Sequence, residues 1–182
     1  LKIDFDKTIT NFKLSNKNIE IRKKNLNKFS EKGFPNKKIE DWKFSDLNQI
    51  ISSNIKNLNF YNSLVSSKVN QDVFINKFRH NKIVLLNGII LSIDLSLEDQ
   101  NKVSLTKDLN FNAGYDEVNP LVLLNNAFAS SYIKMTVKEN YSFNRPLIIY
   151  YITDDALKST ALNLRTDIIL EKNSNLKLIT LF

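Results

Sequence analysis

The apolar positions along this chain follow a helical period at first and a strand period later. From Asn16 to Lys32 (NKNIEIRKKNLNKFSEK), Ile19, Leu26 and Phe29 fall near one face of a helix, which predicts an amphipathic helix over that stretch. Ser15 or Asn16 is placed to cap its start, Gly33 to close its end, and Pro35 to stop any continuation. A short helix from Ser45 to Ile51, capped by Ser45, follows the segment around Trp42. The polar stretch SSNIKNLNFYNSLVSSK then reads as a loose connection. Between Asn70 and Phe78, Val73, Phe74 and Phe78 recur at helical spacing. In KIVLLNGIILSI two apolar runs flank Asn87-Gly88, a hairpin signal because a two-residue type I′ turn needs positive φ at both positions. KVSL predicts a further short strand. Asn119-Pro120 opens another helix, with Asn as cap and Pro in the first turn, and Leu121, Leu124 and Phe128 as its buried face.

Beyond Ser130 the period changes. SYIKMTV alternates, with Ile133, Met135 and Val137 on one side, RPLIIYYI is a continuous apolar run, and LRTDIILEKNSNLKLITL holds two strand-like runs around Asn173-Ser174-Asn175. These strands recur roughly every 15 residues without intervening helices, a spacing that suits a sandwich or a stacked β-coil. The expected fold class is α+β. Residues 1–80 form a helical domain, 81–130 a hairpin and helix leading into the core, and 131–182 the start of a coiled strand core. The first residue is Leu1 rather than Met and the last residues, LKLITLF, read as the middle of a strand, so the expectation is a fragment of a longer chain.

Composition narrows the picture. At 42% apolar and 25% charged residues the 182-residue chain is globular in character, and the absence of cysteine excludes disulfides, thiol catalysis and Cys-ligated metals within it. The net charge of +7 invites a nucleic-acid reading. Its lysines read as scattered, however, and no RNP, zinc-finger or helix-turn-helix signature accompanies them. Arg22-Lys23-Lys24, the densest basic run, reads as the solvated face of its helix. No apolar run approaches the roughly 20 residues of a membrane span, and LKIDFDKTIT has no signal-peptide core. The expectation is a soluble, cytoplasmic protein that binds no nucleic acid and has no membrane span.

Candidate chemistry is sparse. The single histidine, His80, has Arg79 and Lys82 nearby and reads as an exposed residue after a helix end. Asp154-Asp155 and Glu98-Asp99 are paired acids of the kind that usually make turns. With three glycines there is no phosphate-binding loop or dinucleotide fingerprint, and neither G-x-S-x-G nor H-E-x-x-H occurs. No residue is assigned a catalytic, cofactor-binding or metal-ligating role, and the protein is expected not to be an enzyme. Trp42, the only tryptophan, sits in KKIEDWKF among charged residues. Two readings stay open for it: an amphipathic anchor whose charged neighbours remain wet, and a partner-binding hot spot.

Four stretches, in order, resemble one family. Glu40-Asp41-Trp42-Lys43-Phe44, after a helix, Gly33 and Pro35, resembles the E-[DE]-W-[KR]-[YF]-[ST] stretch of the SufD scaffold subunits (SufB/SufD family) of the SUF iron–sulfur assembly machinery. Ile83 to Gly88 with Leu91-Ser92, Asn119 to Ala127, and Val137 to Ile149 around Asn144-Arg145-Pro146-Leu147-Ile148 are similar to later stretches of that family. The resemblance spans residues 33 to about 150 and is closer to SufD than to SufB subunits at the Trp-containing segment.

This resemblance implies a helical N-terminal domain followed by the first coils of a right-handed parallel β-helix, truncated here. It implies a complex with a SufB-like subunit and a SufC-like ATPase that builds a nascent Fe–S cluster. The residues for cluster assembly are expected beyond Phe182, so no cofactor is bound by residues 1–182. Within this picture Trp42 is expected to fasten the helical domain to the next part of the chain, through Phe44 and Leu47. Two other functions compete: a carbohydrate-active β-helix protein, against which the few acids after residue 130 count, and a basic nucleic-acid adaptor.

Overall fold

The computed structural model describes residues 1–54, 58–60, 69–112, 118–155, 157 and 159–182. In chain order the helices are α1 (Lys2–Asn11), α2 (Asn16–Lys32), α3 (Leu47–Asn54), α4 (Leu97–Gln100) and α5 (Pro120–Phe128). The strands are β1 (Asn81–Leu86), β2 (Ile89–Asp94), β3 (Val103–Lys107), β4 (Ser131–Val137), β5 (Leu147–Ile152), β6 (Leu164–Leu170) and β7 (Leu178–Leu181). The fold is mixed α+β with two mixed sheets, β2-β1-β5-β7 and β3-β4-β6, neither closed into a barrel. Among the described residues no helix is long and apolar enough to cross a membrane.

Two compact units divide the chain. One comprises Leu1–Asn62, Leu109–Ser130 and Lys158–Arg165, the other Ser63–Asp108, Ser131–Leu157 and Thr166–Phe182. The consecutive stretches 1–80, 81–130 and 131–182 are thus each distributed over both units, because contacts form between elements distant in sequence. Of the expected loose connection, residues 52–54 instead continue α3, and residues 55–57 and 61–68 lie outside the described residues.

In the first unit, α2 has the boundaries that its caps dictate. Ser15 Oγ accepts from the Asn18 N–H, and Gly33, at φ +71°, donates its N–H to the Phe29 carbonyl. The buried face differs from expectation. Asn18, Arg22, Asn25 and Phe29 form the buried stripe, while Ile19 and Leu26 are only half-buried beside it. Each polar member has a partner: Asn18 Nδ2 donates to the Phe111 carbonyl at 2.9 Å, and Asn25 Oδ1 accepts from Asn126 Nδ2 at 3.4 Å.

Arg22 corrects the reading of the basic run as a solvated face. Its side chain is fully buried. Nε donates to Asn18 Oδ1 at 2.8 Å, Nη1 to the carbonyls of Ala127 and Ala129 at 3.2 and 3.0 Å, and Nη2 to that of Leu109 at 3.2 Å. The guanidinium lies over the Phe111 ring, 5.0 Å from its centroid. Ala127 and Ala129 carry carbonyls at the end of α5 that no further helical turn can satisfy, and that end is the negative pole of the helix. Burial lowers the Arg22 pKa to about 10, which leaves it charged at neutral pH.

Beside this polar seam lies an aromatic core of Phe5, Phe29, Phe60, Leu123, Leu124, Ala127 and Phe128. Phe5 meets Phe128 edge-to-face at 5.9 Å. Asn119 Oδ1 caps α5 through the Leu121 N–H as expected. The buried face, however, takes Leu123 in place of Leu121, which is half-buried. α1, which contributes Phe5, was not anticipated from the N-terminal residues.

In the second unit the Asn-Gly hairpin forms as predicted, with Asn87 at φ +50° and Gly88 at φ +83°. β1 pairs antiparallel with β2 and parallel with β5, and β5 pairs parallel with β7. Flanked on both sides, β1 and β5 are buried on both faces, which explains their unbroken apolar runs. The chain runs from β4 in one sheet to β5 in the other, then to β6 beside β4 and β7 beside β5. Leu147 lies opposite Leu178 and Ser142 opposite Asn175 in parallel register. The expected helix between Asn70 and Phe78 is only a 3₁₀ turn, Gln71–Val73. Phe74 and Ile75 instead cover Val84, Ile148 and Tyr150, leaving Val73 and Phe78 exposed.

Removing the guanidinium leaves buried carbonyls with no donor. Arg22→Met is expected to cost about 3 kcal/mol of stability, and Arg22→Lys to recover only part of it, since a point charge cannot serve divergent acceptors. Guanidinium-chloride unfolding curves measure both, and an unchanged midpoint in the Met variant would show that the carbonyls find other donors.

Candidate functional site

Past the end of α2, a short loop closes on itself. Asn36 Oδ1 accepts from the Lys38 N–H at 2.9 Å, the usual local bond of a turn asparagine. Trp42 N donates to the Ile39 carbonyl, Ser45 N to that of Trp42, and Leu47 N to that of Pro35. Glu40–Trp42 form a 3₁₀ turn, and Lys43 pairs with Glu40 at 2.9 Å. α3 begins at Leu47 rather than Ser45, because Asp46 Oδ1, accepting from the Gln49 N–H, is the group that caps it.

This loop and the start of α5 enclose a cleft of about 510 Å³ lined by Lys32, Pro35, Ile39, Asp41, Trp42, Val118, Asn119 and Pro120. Trp42 is half-buried in its wall, and its indole N–H makes no hydrogen bond to a described residue. Phe44 is 89% exposed, so it anchors nothing within the described structure, contrary to the fastening expected of it. It is instead 5.3 Å from the Lys43 ammonium. Leu47 is half-buried.

Nor is the charge scattered. Residues 13–43 hold ten Lys or Arg against four Asp or Glu, which is +6 of the chain's net +7. Arg22 is buried, but Lys32 lines the cleft and Lys37 and Lys38 are exposed in the loop between its lining residues Pro35 and Ile39, none of the three in an ion pair with a described residue. The cleft therefore joins an apolar wall to a charged rim of Lys32 and Asp41, with Lys37 and Lys38 in the adjoining loop.

Elsewhere the sequence-predicted candidates are occupied structurally. His80 is half-buried, not exposed after a helix end. Its Nδ1 lies 3.0 Å from the Phe78 carbonyl, to which it donates, and its Nε2 lies 3.0 Å from the Tyr150 hydroxyl. That hydroxyl accepts in turn from the Ile75 N–H. Asp154 makes a reciprocal pair with the hairpin residue Asn87: Asn87 Nδ2 donates to Asp154 Oδ1, and Asp154 N–H to Asn87 Oδ1.

Asp99 departs furthest from the turn reading. It is fully buried. Oδ2 accepts from Ser96 Oγ at 2.6 Å and Asn81 Nδ2 at 2.8 Å, and Oδ1 from the Tyr141 hydroxyl at 2.8 Å and the Asn144 N–H at 3.3 Å. Burial alone would raise its pKa, but these donors outweigh burial and hold it below the usual 3.8. Tyr141 is pushed up to about 12 by burial, by its bond to Asp99 and by the negative charges of Asp99 and Glu98. Among the described residues, no group of three His, Asp or Glu side chains is placed to hold a metal ion.

No protein-family model matches the chain, and no curated protein matches it in sequence. The Trp42 cleft is thus defined by its own geometry. Sequence spacing missed it because Val118 to Pro120 arrive from far along the chain.

Two outcomes are expected. Iodide should quench the emission of Trp42 more strongly than caesium, because the nearby lysines concentrate anions, and the difference should shrink as salt screens them. Equal quenching by both ions would remove the excess of positive charge from the site. Asp99→Asn should cost about 2 kcal/mol at neutral pH, since an amide cannot accept all four bonds. A lowered carboxylate pKa stabilises above the unfolded value and is lost as pH falls through the folded one. The gap between parent and variant melting temperatures should therefore narrow once pH drops below the ordinary carboxylate value of 3.8.

Proposed function

We propose that this chain is part of a SufD-type scaffold subunit, acting in the cytoplasm with a SufB-like partner and a SufC-like ATPase in iron–sulfur cluster assembly. The observation that carries the reading is the alternation of strands between two sheets. β4 and β5 lie in different sheets, and β6 and β7 return beside them in the same order. Leu147 meets Leu178, and Ser142 meets Asn175, in parallel. An advance of just over thirty residues per return supports the first coils of a parallel β-helix, the architecture that the family resemblance implies.

The other resembling stretches occupy defined places in the fold. Asn87-Gly88 forms the hairpin and is tied to Asp154. The Arg145 carbonyl accepts from Asn81 Nδ2, and Asn144 N–H donates to Asp99, at the entrance to β5. These are structural duties, which accords with a scaffold that contributes surfaces rather than a turnover site. The nascent cluster is the complex's product, and its ligands are assigned to residues outside 1–182.

Co-expression of the complete polypeptide that carries these residues with SufB-like and SufC-like subunits tests the proposal. A single species containing all three is expected by size-exclusion chromatography with mass measurement. That species should show the visible absorbance of an Fe–S cluster after anaerobic reconstitution. Elution of the polypeptide alone, with SufB and SufC complexed to each other, would overturn it.

A further inference from the structure

We propose that the Trp42 cleft docks an acidic protein segment, which inserts one large apolar side chain between Trp42 and Pro120. The inference rests on the cleft alone and is independent of the scaffold reading.

Three observations carry it. First, the cavity has the size and lining of a binding site: about 510 Å³, walled by Pro35, Ile39, Trp42, Val118 and Pro120. Ile39 is 39% and Val118 67% exposed, so part of this apolar lining is open to solvent. Tryptophan is the residue most enriched where such surfaces bind, and its indole N–H, which has no hydrogen bond to a described residue, offers a donor to the carbonyl of an extended chain.

Second, lysines outnumber acids around the cleft: Lys32, Lys37, Lys38 and Lys43 stand against Glu40 and Asp41 in residues 32–43, and Glu40 is paired with Lys43. Lys32 lines it, and Lys37 and Lys38 lie between two lining residues, Pro35 and Ile39. None of the three is in an ion pair with a described residue, whereas neighbouring Lys43 is neutralised by Glu40. Asp41 is the one carboxylate of the lining and marks the point where an acidic residue of the partner is disfavoured. The complement is a segment with acids flanking an apolar anchor.

Third, the site is built before anything binds. The bond from Leu47 N to the Pro35 carbonyl and the turn bonds at Ile39 and Trp42 hold the loop, and Asn119 caps the helix across from it. A pre-ordered cleft spares a partner the cost of organising it. A membrane surface would engage Phe44, which projects almost fully exposed, rather than the half-buried Trp42.

The experiment is selection of short random peptides displayed on phage against the full chain, followed by titration of synthetic versions of the enriched peptides. Expected is a consensus of Asp and Glu around a single Phe, Leu, Ile or Trp, binding of which shifts the emission of the sole tryptophan; a Trp-free version serves for the titration. Reversing Lys32, Lys37 and Lys38 together to Glu should weaken binding at least about tenfold, and a Lys-flanked version of the same peptide should recover affinity for that variant. A far-UV spectrum and melting temperature matching the parent show that the variant is folded.

Absence of enrichment, a consensus without acidic bias, or affinity indifferent to charge reversal would each overturn the proposal. So would phosphatidylcholine–phosphatidylserine vesicles shifting Trp42 emission in a Phe44-dependent way while no peptide is enriched, which would assign the surface to anionic lipid.

Discussion

The guanidinium of Arg22 holds α2, the end of α5 and the chain at Leu109 in one arrangement, without a carboxylate among its described partners. It does so with dipoles: three backbone carbonyls and the Asn18 amide oxygen take its protons. A buried charge of this kind is costly unless every donor is met, and the end of a helix supplies unmet carbonyls and negative potential in one place. Because Arg22, near the start of α2, meets the end of α5, and Asn25 meets Asn126, the two helices run antiparallel. The end of α2 therefore comes to the start of α5. That juxtaposition brings Lys32 and Pro35 to Asn119 and Pro120 and creates the Trp42 cleft. The polar seam in the core thus fixes the geometry of the surface site.

The second unit uses the same solution with the opposite charge. Asp99 is buried with hydroxyl, amide and backbone donors in place of a cation, and Asn81 joins it to the entrance of β1 and to Arg145. Ser96 N–H closes the arrangement on Asn81 Oδ1 at 2.7 Å. Both units place a single charge where several irregular backbone segments converge, since one charged fork or carboxylate satisfies more orphan groups than any neutral side chain. The benefit is a defined meeting point for segments that have no sheet or helix ladder of their own. The cost is dependence on complete satisfaction: losing one partner leaves buried groups unpaired.

The two functional proposals draw on different parts of the molecule. The scaffold reading rests on the alternating strands of the second unit, where His80, Asp99 and Asp154 serve the fold through Tyr150, Tyr141 and Asn87. The docking proposal rests on the first unit, where the net positive charge of the chain is concentrated and where tryptophan lines an open apolar cleft. Neither requires turnover chemistry. Each treats the molecule as a set of surfaces held in place by its buried polar centres.

What the sequence by itself determined was local. Ser15 and Gly33 bounded α2, Asn119-Pro120 opened α5, Asn87-Gly88 turned the hairpin, and the apolar runs marked β1 and β5. Caps and turns act over a few residues, so spacing suffices to read them. Tertiary structure decided which face each element buried. On α2 it chose Asn18, Arg22 and Asn25 over Ile19 and Leu26, because carbonyls and amides from residues 109–129 were there to meet them. Around residue 74 it overrode a helical spacing, because Phe74 and Ile75 had strands to cover. Asp99 looked like a turn acid until Tyr141 and Asn144 arrived from the segment before β5, more than forty residues on, and Trp42 had no cleft until α5 supplied its far wall. Polar burial is favourable only with a partner, and those partners lie scores of residues away, where no periodicity reports them.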